Sequence, residues 1–218
     1  MNIASHLEHT ILKPDTTQIA VERVCEEAIT YQFAAVCVPP FYVKDAHKLL
    51  DNAAPVVATV IGFPMGYTSI NIKSEEIKRA CDEGADHLDT VINIAAVKNG
   101  DWVYLQNEVS TLTRVAHLKD KQIKFILETG LLTSIEIEKL CVILANAEVD
   151  FAKTSTGNIP QGASLEIIKT LRKLLPSTVK IKASGGIKTF DEAMALLQAG
   201  ADRIGTSAAV SIFQASQF

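Results

Sequence analysis

The sequence predicts an α/β fold, a (β/α)8 TIM barrel built as a single domain over residues 1–218. Short apolar segments rich in β-branched residues alternate with longer segments of helical period along the chain, as in repeated βα units with a parallel sheet. The length of 218 residues lies at the short end of the range for such a barrel. The same periodicity also fits an open doubly wound sheet, which is the alternative architecture.

Eight segments have the length and composition of strands, and eight is the number that a closed barrel requires. They cover residues 9–12, 34–38, 56–61, 87–92, 124–128, 151–154, 179–183 and 203–206. The first segment carries the weakest strand signal. Each is followed by a helical segment, and this order favours closure into a barrel.

Side chains that can cap helices mark several helix starts. Thr133 with Glu136 and Thr189 with Glu192 have the spacing of capping boxes, in which each side chain bonds the other residue's backbone N–H. Ser74, followed by two glutamates, places acidic groups where the dipole of a helix N-terminus favours them. The sequence therefore predicts helix N-termini at all three places.

A recurring tripeptide marks where a helix leads into the next strand. Residues 84–86 and 200–202 read Gly-Ala-Asp, and residues 148–150 read Glu-Val-Asp. Glycine supplies a left-handed C-terminal residue in two of them. The repetition indicates one repeated unit and no internal domain boundary.

Composition and charge argue against several classes of function. The formal net charge is −4 and the basic residues are scattered, so no electrostatic surface for nucleic acid or an anionic membrane is expected. Residues 1–10 lack the apolar stretch of a signal peptide, and no uncharged apolar run reaches about 18 residues. The four cysteines form no CxxC pair, which is typical of reduced thiols in a cytoplasmic protein.

The sixth predicted strand carries a lysine in line with apolar residues. Alternation places Val149, Phe151 and Lys153 on one face, at a strand end where barrel enzymes carry functional side chains. Such a lysine is desolvated, which lowers its pKa and makes a neutral amine available as a nucleophile. The alternative is a lysine that extends past the strand end to solvent.

The seventh predicted strand places Lys180 and Lys182 on one face and ends in a Gly-Gly turn. A second ammonium group near Lys153 would lower the pKa of that lysine further by like-charge repulsion. The alternative is that one of these lysines only binds phosphate.

Asp89 is a carboxylate inside an otherwise apolar strand. Buried charge is costly unless it is paired, and a lysine across the barrel mouth would provide a partner. The aspartate is then either a structural ion-pair member or, beside the reacting carbon, a general acid or base.

Two glycine turns follow the seventh and eighth predicted strands, where barrel enzymes commonly bind phosphate. Residues 184–188 read Ser-Gly-Gly-Ile-Lys, and residues 205–207 read Gly-Thr-Ser. Glycines let backbone N–H groups approach an anion closely. The five histidines have no recognised metal spacing, and no Walker or dinucleotide motif occurs. We therefore expect lysine and carboxylate chemistry without a metal or a cofactor.

Together these strand ends resemble the deoxyribose-phosphate aldolases, a family of Schiff-base (class I) aldolases. The resemblance extends from about His9 to Ile212. Its most specific parts are Lys-Thr-Ser-Thr-Gly at residues 153–157 and Lys-x-x-Gly-Gly at residues 182–186. Other matching segments are residues 9–15, 36–40, 60–66, 84–94, 128–129 and 203–207.

The resemblance implies reversible cleavage of 2-deoxy-D-ribose 5-phosphate into D-glyceraldehyde 3-phosphate and acetaldehyde, a reaction of deoxyribonucleotide catabolism. It assigns the Schiff-base lysine to Lys153, the second active-site lysine to Lys182 and the proton-relay aspartate to Asp89. It also places Cys37 near the substrate, although a buried core thiol fits this cysteine equally well. The implied phosphate site consists of Gly157, Gly185, Gly186, Lys188, Gly205 and Ser207.

The sequence departs from the family pattern at several positions. Glu8 replaces a usual aspartate, Gly130 stands where a cysteine is common, and Gln161 interrupts a usual Gly-Gly pair. Lys188 replaces an arginine of many relatives, and Ala208 replaces a residue whose hydroxyl could bond the phosphate. Loss of such a hydrogen bond costs roughly 1 kcal/mol, so we expect phosphate affinity to be the property most affected.

Two other functions are weighed against this one. The chain could be a Schiff-base aldolase for another phosphorylated aldose, or a sugar-phosphate-binding barrel without catalysis. The joint presence of Lys153, Lys182 and Asp89 argues against the second. We expect a cytoplasmic homodimer or other homo-oligomer that acts on a small phosphosugar.

Overall fold

Eight parallel strands close into a barrel in chain order in the computed structural model, which describes residues 2–217. The predicted (β/α)8 barrel is confirmed, and Met1 and Phe218, the ends of the predicted domain, lie outside the described residues. The strands are β1 (Leu7–Thr10), β2 (Ala35–Val38), β3 (Val56–Ile61), β4 (His87–Val91), β5 (Gln122–Ile126), β6 (Phe151–Lys153), β7 (Lys180–Ser184) and β8 (Arg203–Thr206).

Helices alternate with the strands around the outside of the barrel. They are α1 (Gln18–Tyr31), α2 (Val43–Leu49), α3 (Ile70–Asp82), α4 (Ile94–Lys98), α5 (Trp102–His117), α6 (Ser134–Asn146), α7 (Leu165–Leu174), α8 (Phe190–Gln198) and α9 (Ala209–Ala215). Short 3-10 helices cover Ile3–His6, Pro40–Tyr42 and Thr129–Leu131. Among residues 2–217, no helix is both long enough and apolar enough to cross a membrane.

Two strands begin earlier than predicted. β1 starts at Leu7 because Leu7 and Glu8 already pair with β8, and the charge of Glu8 conceals the strand in the sequence. β5 is shifted by two residues to Gln122–Ile126. It ends before Glu128 because that residue adopts a left-handed conformation with φ 54°, which regular strand pairing does not allow.

The predicted helix caps are confirmed at two of three places. Both capping boxes form, at Thr133 and at Thr189. The predicted start at Ser74 is wrong, because Ser69 accepts the backbone N–H that caps α3. The Ser74 hydroxyl instead lies inside the helix and donates to the Ile70 carbonyl oxygen at 2.8 Å.

The recurring tripeptide does mark helix ends. Gly84 and Gly200 have φ values of 106° and 115°, and Glu148 in the third copy is also left-handed, with φ 53°. All three turns therefore reverse the chain in the same way before β4, β6 and β8.

The main apolar core lies between the sheet and the helices. Val36, Leu88 and Ile181 on the strands are fully buried, as are Leu105 and Leu140 on the helices. Since burial of apolar surface drives folding, this layer fixes the barrel walls.

The inside of the barrel is different. A small apolar cluster of Cys37, Ala58 and Val60 fills one side. Fully buried charged side chains fill the other, and they are described below. The barrel walls thus hold ionised groups in positions away from water.

Candidate active site

The Asp89 carboxylate lies at the centre of the barrel and accepts hydrogen bonds from three lysines. Lys124 Nζ lies 3.0 Å from Asp89 Oδ1, while Lys153 Nζ and Lys182 Nζ each lie 2.7 Å from Oδ2. The lysines come from β5, β6 and β7, the three strands that follow β4. Strand register brings them together, because Asp89 pairs with Lys124 and Lys153 pairs with Lys182.

Glu8 adds a second carboxylate to this cluster from β1. Its Oε2 accepts a short hydrogen bond from Lys182, and its Oε1 lies 3.5 Å from Lys124 Nζ. Both Glu8 and Asp89 are 0% exposed. The two carboxylates therefore share Lys124 and Lys182 as partners inside the barrel, whereas Lys153 pairs with Asp89 alone.

The charges in the cluster stabilise one another. Burial alone would raise the pKa of Asp89, but Lys124, Lys153 and Lys182 outweigh it and hold that pKa well below its usual range. Burial also opposes ionisation of Glu8, yet the neighbouring lysines lower its pKa to about 2. Burial would lower the pKa of Lys182, but Asp89 and Glu8 more than offset this and raise it. At neutral pH both carboxylates are ionised and Lys182 is protonated.

The cluster contains more lysines than carboxylates. Three lysines face two carboxylates, so one positive charge is in excess when all are ionised. Excess buried charge is costly, and one lysine in the form of a free amine would remove it. A free amine is a nucleophile. The arrangement is therefore suited to the attack of an amine on a carbonyl group.

A cavity of about 190 Å³ opens at the carboxyl ends of the strands above this cluster. Of the five cluster members, only Lys153 lines it. The cavity brings together all six residues predicted for phosphate binding. It is lined by Thr10, Leu12, Lys153, Thr156, Gly157, Ser184, Gly185, Gly186, Ile187, Lys188, Gly205, Thr206 and Ser207.

Comparison with known proteins decides the family. A family model described as DeoC/LacD family aldolase matches residues 7–215. The chain belongs to the DeoC/LacD family of aldolases. The resemblance predicted from the sequence is thereby confirmed.

The aldolase is similar along its whole length to several relatives. It is 43% identical over 219 residues to the deoxyribose-phosphate aldolase of Thermococcus gammatolerans, which covers 100% of this chain and 97% of that protein. It is 42% identical over 212 residues to the one from Lactiplantibacillus plantarum, covering 97% and 99%. The solved deoxyribose phosphate aldolase of Aeropyrum pernix has a TM-score of 0.92 and 30% identity, covering 99% of this chain and 91% of that one.

Glycine is required at the cavity of the aldolase for two different structural reasons. Gly157, Gly185 and Gly186 have φ values of 86°, 92° and 78°, which L side chains rarely adopt. Gly205 instead makes room for a neighbour, because a Cβ there would lie 2.8 Å from Lys182 Cε. Sequence reasoning had interpreted Gly205 only as part of an anion site.

Lys188 and Ser207 are exposed at the rim of the cavity. The backbone N–H of Lys188 is already used, since it donates to Glu192 Oε2 at 2.9 Å. The side chain of Lys188 thus supplies its remaining hydrogen-bond donors. The N–H of Ala208, the position that lacks a hydroxyl, donates to Thr206 Oγ1 at 2.9 Å.

Cys37 lies beneath the mouth of the aldolase's barrel. It is 0% exposed and packs with Ala58 and Val60, and it does not line the cavity. Burial raises the pKa of its thiol, so the thiol is protonated at neutral pH. The geometry fits a core thiol beside the charged cluster.

Lys180 does not join the site. It is exposed at the opposite end of β7, with Nζ 5.5 Å from the centre of the Phe151 ring. Two strand residues from it, Lys182 reaches the cluster. The alternative of a solvent-directed lysine therefore describes Lys180, whereas Lys153 points inward and is 2% exposed.

Sequence reasoning missed two members of the cluster, Lys124 and Glu8. Lys124 lies in an apolar strand, as Asp89 does, and the same argument about buried charge could have found it. Glu8 was noted only as a departure from the family pattern, because the predicted strand began one residue after it.

Gly130 and Gln161, two further departures from the family pattern, lie against each other. A Cβ built on Gly130 would lie 2.5 Å from Gln161 Cβ and 3.0 Å from Gln161 Oε1. The side chain of Gln161 therefore occupies the space that a cysteine at position 130 would need.

Proposed function

We propose that this aldolase catalyses the reversible cleavage of 2-deoxy-D-ribose 5-phosphate into D-glyceraldehyde 3-phosphate and acetaldehyde, through a Schiff base on Lys153. One observation carries the proposal. Among residues 2–217, Lys153 is the only lysine that both contacts Asp89, at 2.7 Å, and lines the cavity at the strand ends. The choice of substrate is supported by the names of the relatives at 42–43% identity.

Lys153 is the nucleophile because a carbonyl carbon in the cavity can reach it. Lys124 and Lys182 are both 0% exposed and do not line the cavity. Lys153 is therefore the lysine whose amine an aldehyde in the cavity can contact. Its amine adds to C1 of the open-chain sugar, and loss of water gives a protonated imine.

The imine then draws electrons from the C2–C3 bond. Removal of the proton from the C3 hydroxyl lets this bond break, which releases D-glyceraldehyde 3-phosphate and leaves an enamine on Lys153. Protonation of the enamine at C2 and addition of water release acetaldehyde and restore the amine. Each step moves a proton to or from a group close to Lys153 Nζ.

Asp89 and Lys182 are placed to relay these protons. Lys153 Nζ and Lys182 Nζ donate to the same oxygen, Asp89 Oδ2, each at 2.7 Å. A proton can therefore pass between the two lysines through one carboxylate oxygen, and water in the cavity can extend the relay to the substrate. Cys37 packs beneath the mouth with Ala58 and Val60 and stays outside the relay.

The phosphate group binds at the glycine-lined end of the cavity. Backbone N–H groups near Gly157, Gly185, Gly186 and Gly205, with the Lys188 and Ser207 side chains, supply donors and a positive charge there. Holding the phosphate at a distance fixes the reacting carbon over Lys153, so remote binding energy assists the chemical step.

Borohydride trapping tests the proposal. Reduction in the presence of acetaldehyde or 2-deoxyribose 5-phosphate should attach substrate mass to Lys153, detected by peptide mass spectrometry. Lys153→Leu should abolish the adduct. Lys180→Leu is the matched control, because it removes a lysine from the opposite end of β7, and it should retain the adduct.

The same experiment separates the alternatives. An adduct that forms only with another phosphorylated aldose would indicate a related Schiff-base aldolase. No adduct with any aldehyde would indicate a sugar-phosphate binder without catalysis.

We also propose a homodimer or larger homo-oligomer in the cytoplasm. The solved aldolase of Aeropyrum pernix is a tetramer, which supports assembly. The four cysteines are free thiols, which is typical of a reducing compartment. Light scattering coupled to size exclusion should give a mass of at least two chains, and a mass of one chain would contradict assembly.

A further inference from the structure

Glu128 combines two features that are costly for a protein. Its backbone is left-handed, with φ 54° and ψ 56°, although it is not glycine. Its side chain is buried, and the residue is only 1% exposed. Strained backbone and a buried carboxylate persist only where the surroundings require them, and such positions cluster at functional sites.

The Glu128 carboxylate holds the loop that follows β6. Its oxygens accept the backbone N–H of Thr156 at 3.2 and 3.3 Å, and Oε2 accepts the Thr156 hydroxyl at 2.5 Å. The Thr156 hydroxyl oxygen in turn accepts the N–H of Asn158 at 3.1 Å. Within residues 2–217, no basic side chain lies within ion-pair distance of Glu128. Within the described residues, the hydrogen bonds that the Glu128 carboxylate accepts therefore all come from Thr156.

Other contacts attach the loop to β7. Ser184 Oγ donates to the Ser155 carbonyl oxygen at 2.6 Å, and Thr154 Oγ1 donates to the Ser184 carbonyl oxygen at 3.0 Å. The loop is therefore attached to β7 on one side, and Glu128 provides the attachment on the other, next to β5. Thr156 and Gly157, at the end of this attachment, line the cavity.

We propose that Glu128 is a positioning residue for anion binding. It fixes Thr156 and so holds Gly157, the next residue, in place at the phosphate end of the cavity. Glu128 does not touch the substrate. This inference deepens the proposed function and rests on it for the identity of the phosphate end of the cavity.

Substitutions at Glu128 and Thr156 can remove the hydrogen bond between them with little change in side-chain shape. Glu128→Gln keeps the shape of the side chain but replaces a carboxylate oxygen by an NH2 group that cannot accept the Thr156 hydroxyl or N–H. Thr156→Val removes the same hydroxyl from the other side of the contact. Thr156→Ser keeps the hydroxyl and should restore the wild-type behaviour.

Binding of inorganic phosphate, followed by 31P NMR titration, tests the inference without any turnover. Glu128→Gln and Thr156→Val should each raise the Kd for phosphate about tenfold, and the double variant should bind no worse than either single one, because both remove one contact. Thr156→Ser should stay within about twofold of wild type. In turnover, Glu128→Gln should raise KM for the phosphorylated sugar and leave the rate of acetaldehyde trapping on Lys153 unchanged.

Asp150→Asn is the matched control. Asp150 also holds a backbone N–H, that of Ile123 at 2.9 Å, but at the opposite end of the barrel. This variant should lower the Tm without changing the Kd for phosphate. Equal weakening by Asp150→Asn, wild-type affinity in Glu128→Gln, or no phosphate binding by the wild type would each overturn the inference. Phosphate binding that depends on Glu128 in a protein that traps no aldehyde would instead defeat only the proposed function.

Discussion

Gly205 lies against the side chain of Lys182, so that a Cβ at position 205 would lie 2.8 Å from Lys182 Cε. Gly205→Ala should therefore displace the Lys182 amine from Asp89. Because small displacements of reacting groups are costly and Lys182 belongs to the proposed proton relay, we expect kcat to fall about 10- to 100-fold. Steady-state kinetics with 2-deoxyribose 5-phosphate measures this. An unchanged kcat in a folded variant would show that the lysine adapts without loss.

Asp89 links three buried lysines, so its charge supports the fold as well as the proposed chemistry. Asp89→Asn leaves Lys124 and Lys182 with Glu8 as their carboxylate partner, and among residues 2–217 it leaves Lys153 with none within ion-pair distance. We expect the free energy of unfolding to fall by about 3–5 kcal/mol, together with loss of turnover. Urea unfolding measures the stability term. A loss below about 1 kcal/mol would mean that the lysines neutralise or rearrange at little cost.

Acid should destabilise the protein partly through Glu8, whose pKa is lowered from 4.5 to about 2 in the folded state. A lowered carboxyl pKa contributes stability that is present above the unfolded pKa and is lost as the pH falls through the folded pKa. The contribution is on the order of 3 kcal/mol and should disappear between pH 4.5 and about 2.

Glu8→Gln should make the protein less stable at pH 7 and flatten the fall in unfolding free energy across that range. Denaturant unfolding at several pH values measures both effects. Asp51→Asn, at an exposed carboxylate after α2, is the control and should leave the curve unchanged. A Glu8→Gln curve parallel to that of the wild type would remove Glu8 from the acid response.

Gly130 and Gln161 should behave as a coupled pair. Gly130→Ala alone places a methyl group in the space of Gln161 and should cost about 1–3 kcal/mol. Gln161→Gly opens that space, so the double variant should be more stable than the sum of the two single changes predicts. Thermal unfolding of all four proteins measures the coupling. Additive losses would contradict a direct clash.

The barrel could be predicted from the sequence because its signals are local and repeated. The alternation of apolar strands and capped helices gave the correct number of strands, and β3 and β8 have the predicted bounds. The start of α3 was misplaced because serine followed by glutamates also occurs inside helices. The end of β5 was misplaced because no local sequence signal marks the left-handed backbone of Glu128, whose side chain bonds to Thr156, a residue distant in sequence.

The site was predicted in part. Lys153, Lys182 and Asp89 stand out because each interrupts an apolar strand, and the structure brings them within hydrogen-bonding distance. Lys124 also interrupts an apolar strand and could have been found by the same argument, whereas the role of Glu8 depends on closure of the barrel, which brings β1 beside β8. For the same reason the sequence could not distinguish Gly205, which makes room for Lys182, from a glycine that leaves its N–H open to an anion.

The charged interior has a consequence for how such a barrel can change in evolution. The members of the cluster come from five different strands, β1, β4, β5, β6 and β7. The charge of each member is compensated by an opposite charge on another strand. A lineage that replaces one of them passes through a less stable ancestor, unless a second replacement of opposite sign accompanies it. New chemistry in this interior should therefore arise by paired substitutions, whereas the exposed rim is free to diverge one residue at a time.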